Sequence, residues 1–234
     1  MVDELVLEGE LILFDIVYSL KFLLRLALYN LNMLTVVIVP GVQTKSPLFG
    51  KWIASLYLKY FGLDSEEDNW TENLKEYLEN HYQLNVKVLH WSGLREKSLK
   101  LAAINLEHLI NTIPQESEIV LFTKSLGGNI ADIFLQSAER KIRKVIYVAV
   151  PHKNLPKRHN QKIPLVNIYS RDDNYIDFAI KVLYFGKGSK ETIGADNIIF
   201  DKLRHSEFNK NKKIVYQGKE YELFEFYAKL IEEE

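Results

Sequence analysis

Short apolar runs punctuate the chain, each too brief for a helix and most of them leading into a helical pattern. Thr35-Val36-Val37-Ile38-Val39, Val86 to His90, Ile119 to Phe122, Lys144 to Val150 and Pro164 to Tyr169 read as strands, with a shorter one at Asn197 to Phe200. Helical patterns run from about Pro47 to Phe61, Asn69 to Tyr82, Glu96 to Thr112 and Leu126 to Ala138, and a last one from about Lys219 to Ile231. Strands that are nearly continuous in apolar residues have both faces covered. Alternating with helices, they predict an α/β protein with a mostly parallel sheet and helices on both faces. Ligands of such sheets bind beyond the carboxyl ends of the strands, so the residues just after each strand are the ones to inspect.

Those positions hold Pro40-Gly41-Val42, Ser125, Pro151-His152, Asp172-Asp173 and His205. The most informative is Ser125. The run Ile119 to Phe122 passes through Thr123-Lys124-Ser125 to Leu126 and the adjacent Gly127 and Gly128, and Ile130, Ile133 and Phe134 then fall at helical spacing. That is a strand, a tight turn and a helix, with the serine at the apex, where it suits a nucleophile or an ordinary helix N-cap. Asp172 competes with Asp173 as an acid, and His152 with His205 as a base. Lys124-Ser125 lacks the glycine-rich approach of a phosphate-binding loop, and Gly186 to Lys190 reads as a surface turn.

Other chemistries are narrowed by what the chain lacks. It has no cysteine, which rules out disulfides, thiolate metal sites and a cysteine nucleophile. His81, His90, His108 and His159 show no metal-ligand spacing. A net charge of -1 over 234 residues makes no field that would gather nucleic acid, and a small neutral substrate fits it better.

Thr123-Lys124-Ser125-Leu126-Gly127 resembles the nucleophile elbow Gly-x-Ser-x-Gly of the α/β-hydrolases, and Val39-Pro40-Gly41-Val42 resembles their His-Gly oxyanion segment. Val150-Pro151-His152 is similar to the Thr-Pro-His of lipase-like members, Ser170 to Asp173 to their acid loop, and His205-Ser206 to their histidine loop. The order serine, carboxylate, histidine is also theirs. Thr123 stands where the elbow has its first glycine, and Pro40 where a histidine is usual.

The resemblance covers roughly residues 34 to 234 and implies an α/β-hydrolase domain over 33–234. It implies a serine hydrolase of the esterase or lipase-like kind, cleaving small acyl esters or thioesters through an acyl-serine. Ser125 would be the nucleophile, His205 the base and Asp173 its orienting acid, with the amides of Val42 and Leu126 as oxyanion hole. No metal or organic cofactor is implied. Only about a dozen residues separate Pro151 from Pro164, too few for the helical cap of larger members, so an open pocket is expected. The competing expectation, favoured by Thr123 and Pro40, is a non-catalytic protein that uses the same fold for binding or assembly.

Residues 1–32 read as a helical extension. From Leu11 to Leu31, Ile12, Ile16, Leu20, Leu23, Leu24, Ala27 and Leu31 form a broad apolar face, while Asp15, Lys21 and Arg25 interrupt the run and argue against a spanning helix. Such a face suits packing on the domain, pairing with a second copy, or peripheral contact with a membrane. Asp3, Glu4, Glu8 and Glu10 stand where a signal peptide would be basic, which makes cytoplasmic residence the expectation.

Overall fold

The computed structural model describes residues 34–41, 69–92, 96–153 and 162–233. The 1–32 extension, the boundary of the domain at 33, the expected helix from Pro47, Val42 and most of the loop between Pro151 and Pro164 lie outside them. Strands β1 (Thr35–Val39), β2 (Asn85–Val88), β3 (Ile119–Lys124), β4 (Lys144–Val148), β6 (Leu165–Ser170) and β8 (Asp196–Phe200) form one sheet in the order β2-β1-β3-β4-β6-β8. Every pairing in it is parallel.

Alternation along the strands explains why both faces are apolar. Val36 and Ile38, Val120 and Phe122, and Ile146 and Val148 point to one core; Val37 and Val39, Ile119 and Leu121, and Val145 and Tyr147 point to the other. The first core is closed by α1 (Trp70–Tyr82) through Leu74 and Leu78, by α4 (Asn174–Tyr184) through Ile176 and Ile180, and by α5 (Leu223–Glu232). The second is closed by α2 (Glu96–Asn111) through Ala102 and Leu106, and by α3 (Leu126–Leu135) through Ile130 and Phe134. Each Leu, Ile or Phe buried this way contributes about 1.5–3 kcal/mol relative to exposure. Among the described residues no helix is long and apolar enough to cross a membrane.

The architecture is the expected one, and three local expectations change. The helix expected from Lys219 begins at Leu223, because Lys219–Glu222 (β10) instead pairs antiparallel with Lys213–Tyr216 (β9). Gln217 and Gly218 both have positive φ (49° and 77°), the geometry of a two-residue hairpin turn, and the register sets Tyr221 opposite buried Ile214. Helix α4, which the sequence patterns did not predict, starts immediately after Asp173. Part of the expected surface turn at Gly186 to Lys190 is a strand: Gly188–Ser189 (β7) pairs antiparallel with His152–Lys153 (β5).

Candidate active site

Ser125 joins β3 to α3 with φ 51° and ψ -129°, a left-handed conformation that costs a non-glycine residue about 1–3 kcal/mol. Its neighbours hold it there. The Ser125 amide donates to the carbonyl of Val148 on β4 at 3.0 Å. A Cβ on Gly127 would lie 2.0 Å from the Val39 carbonyl oxygen and 2.7 Å from that of Pro40, so only glycine lets the start of α3 pass the end of β1. Thr123 fits as the first elbow residue because its hydroxyl donates to the Ile146 carbonyl at 3.1 Å within the sheet. Leu126 opens α3, and an amide at that first helical position has no intrahelical acceptor, the kind of donor that can meet an anion.

The other flank of the serine is the end of β1. A Cβ on Gly41 would stand 2.8 Å from Ser125 Cβ and 3.4 Å from Ser125 Oγ, which measures how closely this backbone passes the hydroxyl. The indole of Trp91 donates to the Pro40 carbonyl at 2.8 Å in the buried interior and anchors the segment. Pro40, lacking an N–H of its own, thus contributes its carbonyl. Val42, expected to carry an oxyanion amide, follows outside the described residues.

His205 opens a 3₁₀ turn (His205–Asn209) and is buried, with Nδ1 2.9 Å from Asp173 Oδ2. Nδ1–H donating to the carboxylate leaves Nε2 as the basic nitrogen of the neutral ring. Tyr175, in the first turn of α4, lays its ring against the imidazole with centroids 4.3 Å apart. Asp173 is the N-cap of α4, and its Oδ1 accepts from the Ile176 amide at 3.1 Å. Both carboxylate oxygens are therefore engaged.

The rival residues are placed elsewhere. Asp172 is exposed and accepts from the Lys202 amide at 2.9 Å. His152 is buried in an amide network, with Nε2 3.1 Å from Asn167 Oδ1 and its ring edge-on to Tyr147. So the histidine joined to a carboxylate is His205, and the carboxylate is that of Asp173. Among the described residues no hydrogen bond joins the Ser125 hydroxyl to His205. Such bonds often form only once substrate is bound.

Burial and the positive charge of Lys124 push the His205 imidazole below its ordinary value, against the opposing pull of Asp173. Burial alone would raise the Asp173 carboxyl. The charge and hydrogen bond of His205, the Ile176 amide and the charge of Lys124 outweigh it and hold the group below the usual carboxylate range. Near neutral pH the pair is thus a carboxylate beside a neutral imidazole. Lys124 and Tyr175 take part without having been singled out from sequence. A lysine ending an otherwise apolar buried strand was the available signal.

No protein-family model matches the chain, and no curated protein does. Solved structures do. A candidate hydrolase of the alpha/beta superfamily from Xanthomonas campestris pv. campestris superposes with a TM-score of 0.50 at 13% identity, over 86% of this chain and 98% of that one. An alpha-beta serine hydrolase homologue from Coxiella burnetii superposes with a TM-score of 0.50 at 13% identity, over 85% and 83% of the respective chains. At that identity the likeness is one of fold, and the fold is that of the α/β-hydrolases.

Proposed function

We propose that this α/β-hydrolase-fold chain is a serine hydrolase that cleaves carboxylic esters or thioesters through an acyl-serine. The observation that carries the reading is the buried Asp173–His205 pair, on the same sheet edge as a serine held at positive φ. Nε2 of His205 takes the proton from Ser125 Oγ as the oxygen attacks the acyl carbon. Charge that develops on the carbonyl oxygen is met by the amides of Leu126 and Val42, and the imidazolium by the Asp173 carboxylate. His205 then returns the proton to the departing alcohol or thiol. Water, deprotonated by the same imidazole, attacks the acyl-serine; the Oγ–acyl bond breaks, the imidazolium returns the proton to Ser125 Oγ, and the acid is released.

Treatment of the folded full chain with a fluorophosphonate tests this, with expected labelling of Ser125 and none in Ser125→Ala. An intact protein that takes no adduct would sink the proposal. A panel of p-nitrophenyl esters of increasing acyl length then separates a short-chain esterase from a lipase-like enzyme. Survival of the cellular role in Ser125→Ala, with no esterase activity at any chain length, would favour the non-catalytic binding or assembly reading.

A further inference from the structure

A cleft of about 440 Å³ lies between α1, the start of α5 and the segment that follows His205. On α1, Trp70, Asn73 and Tyr77 recur at helical spacing and line it, while Leu74 and Leu78 turn into the core. Phe224, in the first turn of α5, lines the facing side with its ring edge-on to Tyr77, centroids 5.7 Å apart. Asn209, Lys210 and Asn211 make the third wall. The cleft adjoins the candidate active site on its histidine side. Asn209 ends the turn that His205 opens, and a 3₁₀ rise of about 2 Å per residue separates the two by about 8 Å. The Tyr227 hydroxyl on α5 donates to the Phe208 carbonyl at 3.1 Å and ties that turn to the helix carrying Phe224. On the other flank, the Trp70 ring centroid is 5.7 Å from Nζ of Lys124, the residue before Ser125.

The lining alternates aromatic faces with carboxamides, neutral groups that both donate and accept. Among the described residues the Asn73 amide and the Trp70 indole N–H make no hydrogen bond, and Asn211 engages only its oxygen, which accepts from the Phe224 amide at 3.0 Å. Its Nδ2 is left for a ligand. Lys210 is the only charged residue of the described lining, so no carboxylate is there to recognise a cation. An alkyl chain laid in the cleft would cover the amides without pairing them, which is unfavourable. A sugar ring meets both kinds of surface: its C–H face lies on an aromatic ring, and its hydroxyls pair with carboxamides.

We propose that this cleft is the alcohol-side subsite and that it takes the sugar ring of an acylated saccharide. The proposal rests on the serine-hydrolase reading, and the chemistry of that reading selects the side. His205 returns its proton to the departing alcohol, so the alcohol lies next to the turn that the cleft borders. As Ser125 Oγ bonds to the acyl carbon, the bond from that carbon to the sugar oxygen breaks, and the proton taken from Oγ leaves on that oxygen. The sugar departs with a free hydroxyl, and the acyl group stays on the serine until water removes it.

Two measurements on the full chain test the subsite. Saturation-transfer NMR with the methyl glycosides of glucose, xylose and N-acetylglucosamine reads binding without catalysis. Wild type is expected to bind at least one of them, with Kd raised about tenfold in Asn73→Ala and in Asn211→Asp, which keeps the oxygen that serves Phe224 and loses the donor. Hydrolysis of 6-O-acetylglucose is then compared with that of ethyl acetate, the same acyl group on a small alcohol. The ratio of kcat/KM should favour the sugar ester by about tenfold or more and fall about tenfold in both variants. No glycoside signal with wild type, or a ratio unmoved in both variants, overturns the subsite, and if fluorophosphonate still labels Ser125 the hydrolase reading stands. Glycoside binding that both variants weaken, in a chain whose serine takes no label, supports the saccharide site and sinks the hydrolase reading instead.

Discussion

Asp173 divides its carboxylate between two tasks, with Oδ1 capping α4 and Oδ2 holding His205. The division makes the tasks separable by substitution. Asp173→Asn keeps an oxygen for the Ile176 amide but presents an amide N–H to the imidazole, which favours the tautomer with its proton on Nε2. Activity toward p-nitrophenyl esters should fall by about 10²–10⁴-fold while stability stays near wild type. Asp173→Ala should lose the same activity and also about 1 kcal/mol in urea unfolding, the usual cost of a lost N-cap. Equal destabilisation by both substitutions would contradict this division. Spacing alone could not separate Asp172 from Asp173, because both follow the same strand, and only the family resemblance favoured Asp173. It is decided by which carboxylate turns inward, and Asp172 turns to the Lys202 amide.

The elbow is where one element constrains another. Gly127 sits against the Val39 and Pro40 carbonyls, and backbone there cannot yield as a flexible side chain would. Gly127→Ala should therefore cost about 3 kcal/mol or more in urea unfolding, against a gain of about 1 kcal/mol expected for the same change in an open helix. A loss below about 1 kcal/mol would show that α3 can shift away from β1. Legibility at this scale follows burial. The sheet strands are readable because β-branched apolar runs leave few alternatives, and the turn at Ser125 because paired glycines interrupt one of them. Val215-Tyr216 and Tyr221 are harder: charged residues surround them, and the strand signal depends on a Gln217-Gly218 turn whose left-handed geometry no composition reveals. Helix α4 has a readable signature, an Asp N-cap followed by Ile176, Ala179 and Ile180, but the same aspartate fits a loop acid equally well.

Across the whole molecule, the buried pair links the site to folding. The His205 imidazole lies below its unfolded value of about 6.5, so in the interval beneath that value the unfolded chain binds more protons. Its contribution is full above about pH 6.5 and is lost as pH falls toward the folded value. Asp173, also depressed, adds a loss of the same sign below the ordinary carboxylate range near about 3.9. The melting temperature should thus decline from pH 7 to pH 5, and His205→Asn should flatten that decline; an unchanged slope in the variant would contradict the linkage. The sheet order also has a consequence for how the protein is made. Ser125 lies at the end of central β3, while its proposed base arrives about 80 residues later, beyond β8. At cellular translation rates that interval lasts on the order of 4–16 s. On the proposed mechanism, a ribosome-bound chain therefore carries Ser125 with no His205 to activate it, and hydrolytic competence would be withheld until synthesis has passed the last strand of the sheet.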